Sequence, residues 1–190
     1  MDKSTFFTSV IPAALALAIT AAMPASAQER DSRALPVTAM SDEQILQVVE
    51  TLNEGEINQA KLALSKSEDA GVKQVAEMIL ADHEMSEARL EQLEDKHDLD
   101  TADSALAAQI ERLGETTLDG LKALDGEQFE CAYLDEQEKQ HKFALETVND
   151  DLMPAAQSEH VKSVLAMSAP KLEHHLDLVQ AARGNLDNCG

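Results

Sequence analysis

The chain has 190 residues, 36 acidic and 15 basic, for a net charge of -21. A protein this acidic repels phosphate backbones and anionic lipid headgroups, which argues against nucleic-acid and membrane-surface binding, while the same field draws cations. With aromatic residues at 3%, Tyr133 the only tyrosine and no tryptophan, strand signals are nearly missing and an all-α fold is expected.

The chain opens on a targeting signal. Lys3 precedes an apolar run from about Val10 to Ala22, and Ala25-Ser26-Ala27 puts small residues at both key positions of a cleavage site. Residues 1–27 therefore read as a secretory signal peptide cut after Ala27. The run is shorter than the roughly 20 residues of a membrane span, and no cysteine follows the cut to carry a lipid. The remainder is expected to be soluble and exported to a bacterial periplasm, with no integral membrane segment after cleavage. Its roughly 160 residues suffice for one domain with a core.

Residues 28–40, with two arginines and Pro36, form a flexible leader. Ser41 with Gln44 makes a capping box, starting a helix that runs to about Lys66. Its apolar stripe is Ile45, Val49, Leu52, Glu56, Ala60, Ala63. After a turn at 67–71 a second helix spans about Val72 to His97, with the stripe Val72, Ala76, Ile79, His83, Ser86, Leu90, Leu93. Residues 98–126 hold two weaker helical pieces, near 104–112 and 115–124, punctuated by Gly114, Gly120 and Gly126. They are expected to form a crossover. A third helix spans about 127–150 with the stripe Leu134, Glu138, His141, Leu145, Val148, Leu152, and Met153-Pro154 ends it. Ser158 caps a fourth helix that reaches Arg183, with Gly184 as its stop. That helix carries Val161, Leu165, Ser168, Leu172, His175, Val179 and Ala182 on one face. Two helical hairpins joined by one long crossover describe a ferritin-like four-helix bundle over residues 41–184, followed by a tail at 185–190.

Cys131 near the start of the third helix and Cys189 past the end of the fourth meet if those helices are antiparallel neighbours. In an exported chain a disulfide is the default, worth on the order of 4 kcal/mol for so long a loop. The alternative is two free thiols.

Each stripe is interrupted near its middle by a titratable group: Glu56, His83, His141 and His175. Polar groups in an apolar interior cost free energy unless partnered, so these four are expected to meet. Counting from the turns puts Glu56 level with His83, and His141 nearly so. His175 falls roughly 7–9 Å away along the bundle, nearer Tyr133 and Glu136. The expected trio is Glu56, His83 and His141, with His175 joining through Tyr133, Glu136 or a water.

Three chemistries fit such a cluster. Imidazoles with a carboxylate suit one Zn, Cu, Ni or Fe ion, with Asp82 and Glu138 orienting the rings. A hydrogen-bond network without an ion pairs Glu56 with His83 and adds Tyr133 and His141. A di-iron centre needs further carboxylates: only Glu138 precedes a core histidine by three, whereas Leu80 precedes His83 and Leu172 precedes His175. His160 and His174 read as solvated, and His97 as a cation favoured at a helix C-terminus. The scattered methionines read as core filling. Neither a nucleophile–base constellation nor a Gly-rich phosphate loop occurs.

Several runs carry a resemblance: residues 56–63, 78–83 ending in Asp82-His83, Phe129-Glu130-Cys131-Ala132-Tyr133 with His141 eight residues on, and Pro170 to Leu176. Over about residues 42–183 the chain resembles the exported ferritin-like family catalogued as domain of unknown function 4142. The resemblance implies a ferritin-like bundle, usually exported, with recurrent polar positions at Glu56, Asp82, His83, Tyr133, His141 and His175. Glu130 departs from it, standing where the family commonly has Asp. No established activity comes with it. The expected function is a non-enzymatic periplasmic protein of stress or envelope type, monomeric or weakly oligomeric, whose Glu/His core can hold a transition metal. The alternatives are a metal-dependent oxidase or ferroxidase, and a protein-interaction module using the acidic surface.

Overall fold

Ser41 accepts a hydrogen bond from the Gln44 amide while the Gln44 side chain accepts from the Ser41 amide, so the chain turns helical at once. The computed structural model describes residues 40–186 and 189; the predicted signal peptide, its cleavage site and all of the leader before Met40 lie outside the described residues. Helix α1 runs Asp42–Lys66, α2 Ala70–His97, α3 Ala105–Lys122 and α4 Gly126–Glu146. A π-helical segment, Thr147–Leu152, continues α4 into the short α5, Met153–Ala155, and α6 spans Glu159–Asn185. Among the described residues there is no strand.

Helices α1, α2, α6 and α4 form the bundle, each antiparallel to its neighbours, and α3 packs along α1 as the crossover. The fold is a ferritin-like four-helix bundle. One end is tied by the Ala102 amide on the Glu43 carbonyl (3.2 Å) and by Asp42 accepting from the Gln157 and Ser158 amides (2.8 Å each). At the other end Lys66 reaches the Lys122 carbonyl (2.8 Å) and Asp125 (2.9 Å). There the Cys131–Cys189 disulfide forms as expected, with Cα atoms 5.4 Å apart. Buried Glu130 secures the α1–α2 turn, one oxygen accepting from Ser67 Oγ (2.7 Å) and from the amides of Glu68 (3.1 Å) and Asp69 (3.0 Å).

Three boundaries differ from the sequence reading. Asp69, not the glycine turn, caps α2, accepting from the Val72 amide at 2.9 Å, so that helix starts two residues early. The crossover is one continuous helix: a mid-helix glycine costs only about 1 kcal/mol, and burial of Ala107, Ile110 and Leu121 outweighs two of them. The third helix passes Asp150 and ends after Pro154. The wider π turn ahead of that proline makes room for its ring against the preceding turn.

The apolar core falls into two slabs. One gathers Ile45, Val49, Val148, Leu152 and Leu165, the other Ala63, Val75, Phe129, Tyr133 and Val179. Between them lies a belt of buried polar side chains: Asn53, Glu56 and Gln59 from α1, His83 from α2, Gln137 and His141 from α4, His175 from α6. Such a belt survives only if its members answer one another.

Candidate metal centre

His83, His141 and His175 come from three helices and are 7%, 1% and 1% exposed. One ring nitrogen from each lies within 4.8 Å of the other two. His141 Nε2 and His175 Nδ1 are 3.2 Å apart.

The far side of each ring identifies its tautomer. His83 Nδ1 is 2.9 Å from Asn53 Oδ1, and Asn53 in turn donates through Nδ2 to Ser86 Oγ (3.1 Å). His141 Nδ1 is 3.0 Å from the Gln137 carbonyl one turn back on its own helix. His175 Nε2 is 3.0 Å from Asp82 Oδ2, a carboxylate that also takes an ion pair from Lys171. All three outer partners are oxygen acceptors, so all three outer nitrogens carry the proton. With each ring neutral, the three inner nitrogens are left as lone pairs converging on one place. His83 Nε2 meets no hydrogen-bond partner among the described residues. Two lone pairs facing each other at 3.2 Å repel unless a proton or a cation sits between them.

The electrostatics agree. Burial, then the neighbouring His141 and His175, pushes the His83 imidazole down to about 3, so it is neutral at physiological pH. Burial likewise lowers His175, against the pull of Asp82. Partial burial works to raise Asp82, but bonds to Lys171 and His175 outweigh it and keep the carboxylate ionised. Beside the rings lies a cavity of about 50 Å³, lined in part by Asn53, Glu56, His83, Ser86, Lys171 and His175. It has room for an ion's water ligand.

The expected trio of Glu56, His83 and His141 is replaced by the three histidines. The register of α4 against α6 is fixed by Arg183 on Asp135 (2.5 Å) and Gln180 on Glu138 (3.2 Å). Helix α6 therefore stops about two turns short of the start of α4, and counting from those uneven free ends misplaced His175. Glu56 is not the partner of His83 either. The early start of α2 sets His83 level with Asn53, one turn before Glu56 on α1. Glu56 Oε1 instead approaches the outer nitrogen of His141, at 3.9 Å. Burial raises the Glu56 carboxyl, against His141 and a Gln137 hydrogen bond.

The other expected contributors lie apart. Glu138 turns to Lys142 (2.6 Å) and Gln180, and Glu136 to Lys139 (2.7 Å), so neither orients a ring of the triad. Tyr133 is fully buried on Phe129, and burial, with Glu56 adding to it, raises its phenol well above the ordinary range. Asp82 does hold a ring. The sequence reading missed Asn53, the Gln137 carbonyl and Lys171. Asn53 sits one position off the stripe drawn for α1, and Gln137 and Lys171 each lie four residues before a core histidine. His160 is exposed, as expected, and stacks on His97 with ring centroids 3.8 Å apart.

A family model described as "Domain of unknown function (DUF4142)" matches residues 25–182. The crystal structure of a putative secreted protein DUF305 from Streptomyces coelicolor has the same fold, with a TM-score of 0.63 at 16% identity. The match covers 76% of this chain and 94% of that one. No curated protein matches.

Proposed function

The chain belongs to the family described as domain of unknown function DUF4142, and from that premise we propose that it is an exported, non-enzymatic protein that binds one transition-metal ion. The ion is held by His83 Nε2, His141 Nε2 and His175 Nδ1. One observation carries this reading: three buried imidazoles converge, and among the described residues no donor answers the inner nitrogen of His83. Nitrogen ligands about 2.0–2.1 Å from a tetrahedral Zn stand roughly 3.3–3.4 Å apart, close to the 3.2 Å between His141 and His175. Neutral imidazoles favour Zn, Cu, Ni or Fe over Mg or Ca. Asn53, the Gln137 carbonyl and Asp82 serve as the outer partners that metal-bound histidines require.

Export is supported by the signal peptide read in residues 1–27 and by the disulfide, which persists in oxidising compartments. A di-iron oxidase finds less support, because the convergent group is three histidines with no carboxylate among them.

A second reading rests on the same 3.2 Å separation: a proton held between His141 and His175, with no ion. Elemental analysis decides. The purified protein, saturated separately with Zn, Cu and Fe and then desalted, should retain about one equivalent of at least one metal, and His175→Ala should lose it. Retention of none, together with a far-downfield imidazole proton unmoved by added metal, would establish the proton-sharing network instead.

A further inference from the structure

Between α1, α3 and α4 runs an open groove of about 350 Å³, within the size range of small-molecule sites. Ile110, Leu113, Leu118 and Phe143 form its apolar wall. Leu113 and Phe143, 55% and 40% exposed, are two of the four large apolar side chains left facing solvent among the described residues. The ionisable lining is one-sided: Glu54, Glu56, Glu111, Glu115 and Glu136 against the single base Lys139, already 2.7 Å from Glu136. Glu56 is 6% exposed, and its Oε2 meets no hydrogen-bond partner among the described residues. A buried acceptor in that state costs free energy until a donor reaches it. Gly55 and Gly114 keep the walls low, since a Cβ at either meets nothing within 4 Å.

We infer that this groove binds a small organic cation with an apolar body, an aryl- or alkylammonium, whose ammonium donates to Glu56 while its hydrocarbon covers Leu113, Leu118 and Phe143. An ammonium offers three donors and a positive charge, which answers the one-sided acidic lining of the groove, Glu56 included. Covering the exposed side chains removes apolar surface from water. The rim repels an anion of the same shape, and a neutral analogue leaves the rim charge unanswered. No histidine lines the groove, and of its lining residues Glu56 approaches one, His141 Nδ1, at 3.9 Å.

The test compares phenethylamine, 2-phenylethanol and 3-phenylpropionate on the full chain by calorimetry and amide chemical shifts. The amine should bind saturably and move the amides of Gly55, Leu113, Gly114 and Phe143. The alcohol and the carboxylate should bind at least roughly tenfold more weakly. Gly114→Leu fills the groove at a position where helix propensity favours the change. It should keep the parent circular dichroism and weaken the amine by at least about tenfold. The inference is overturned by alcohol binding equal to the amine's, by Gly114→Leu binding as the parent does, or by non-saturating shifts spread over every acidic face.

Discussion

Asp82 Oδ2 lies 3.0 Å from His175 Nε2, and that contact settles which nitrogen of His175 faces the interior. With the carboxylate gone, the ring is free to take the other tautomer or to turn, and one of the three converging lone pairs is lost. Asp82→Ala should therefore weaken metal binding about 10- to 100-fold. Asp82→Asn, which keeps an acceptor oxygen without the charge, should fall between. Lys171 loses its ion-pair partner in both, but its side chain is 32% exposed and can turn to water. Competition against a chelator of known affinity reads the loss, and parental affinity in Asp82→Ala would remove the orienting role.

Asn53 is the corresponding partner of His83, and its loss should be felt in folding as well as in binding. Its side-chain oxygen accepts from His83 Nδ1 while its amide donates to Ser86, all at a nearly sealed position. Truncation strands a buried imidazole N–H, at a cost of about 1–3 kcal/mol. Urea denaturation of metal-free Asn53→Ala should show a lower midpoint with an unchanged slope. A midpoint equal to the parent's would mean that His83 finds another acceptor.

The bundle and its polar core were legible because helical periodicity is a strong signal: each stripe of six or seven positions brought a titratable residue to the inward face. Which residues would touch was not legible, because contacts depend on register, and register depends on where each turn closes. Asp69 as a cap moved α2 by half a turn and exchanged Glu56 for Asn53 as the partner of His83. The pairs Arg183–Asp135 and Gln180–Glu138 likewise brought His175 level with His141. Long-range side-chain pairs of this kind leave no trace in the periodicity of either helix.

Glu130 makes a separate case for stability without any part in the metal centre. Its Oε1 accepts three hydrogen bonds from the Ser67–Asp69 turn. Glu130→Ala leaves two backbone amides and a hydroxyl without that acceptor and should cost about 2–3 kcal/mol, since bonds to a charged acceptor are the stronger kind. Glu130→Gln keeps an oxygen in place and should cost roughly half as much. Thermal melts of the two variants check the order, and equal melting temperatures would show that water replaces the carboxylate.

Glu87 supplies a pH signature. Burial, with Glu50, Glu54 and Glu94 adding repulsion, raises its carboxyl from 4.5 to about 7, against a hydrogen bond from Asn53. The folded state thus holds this proton more tightly than the unfolded chain does. Linkage then makes its contribution fall as pH rises from about 4.5 to 7. Above that window the ionised group is a net cost. Glu87→Gln should accordingly stabilise the protein at pH 8, by less than about 1 kcal/mol because the side chain is only half-buried and solvent screens it. At pH 4 the parent carboxyl is already neutral and the gain should vanish. Raising the salt at pH 8 should shrink it too, since part of the cost is repulsion from Glu50 and Glu54 of α1 and Glu94 of its own helix. Paired urea titrations at the two pH values measure the difference, and equal stabilisation at both would trace the effect to packing rather than charge.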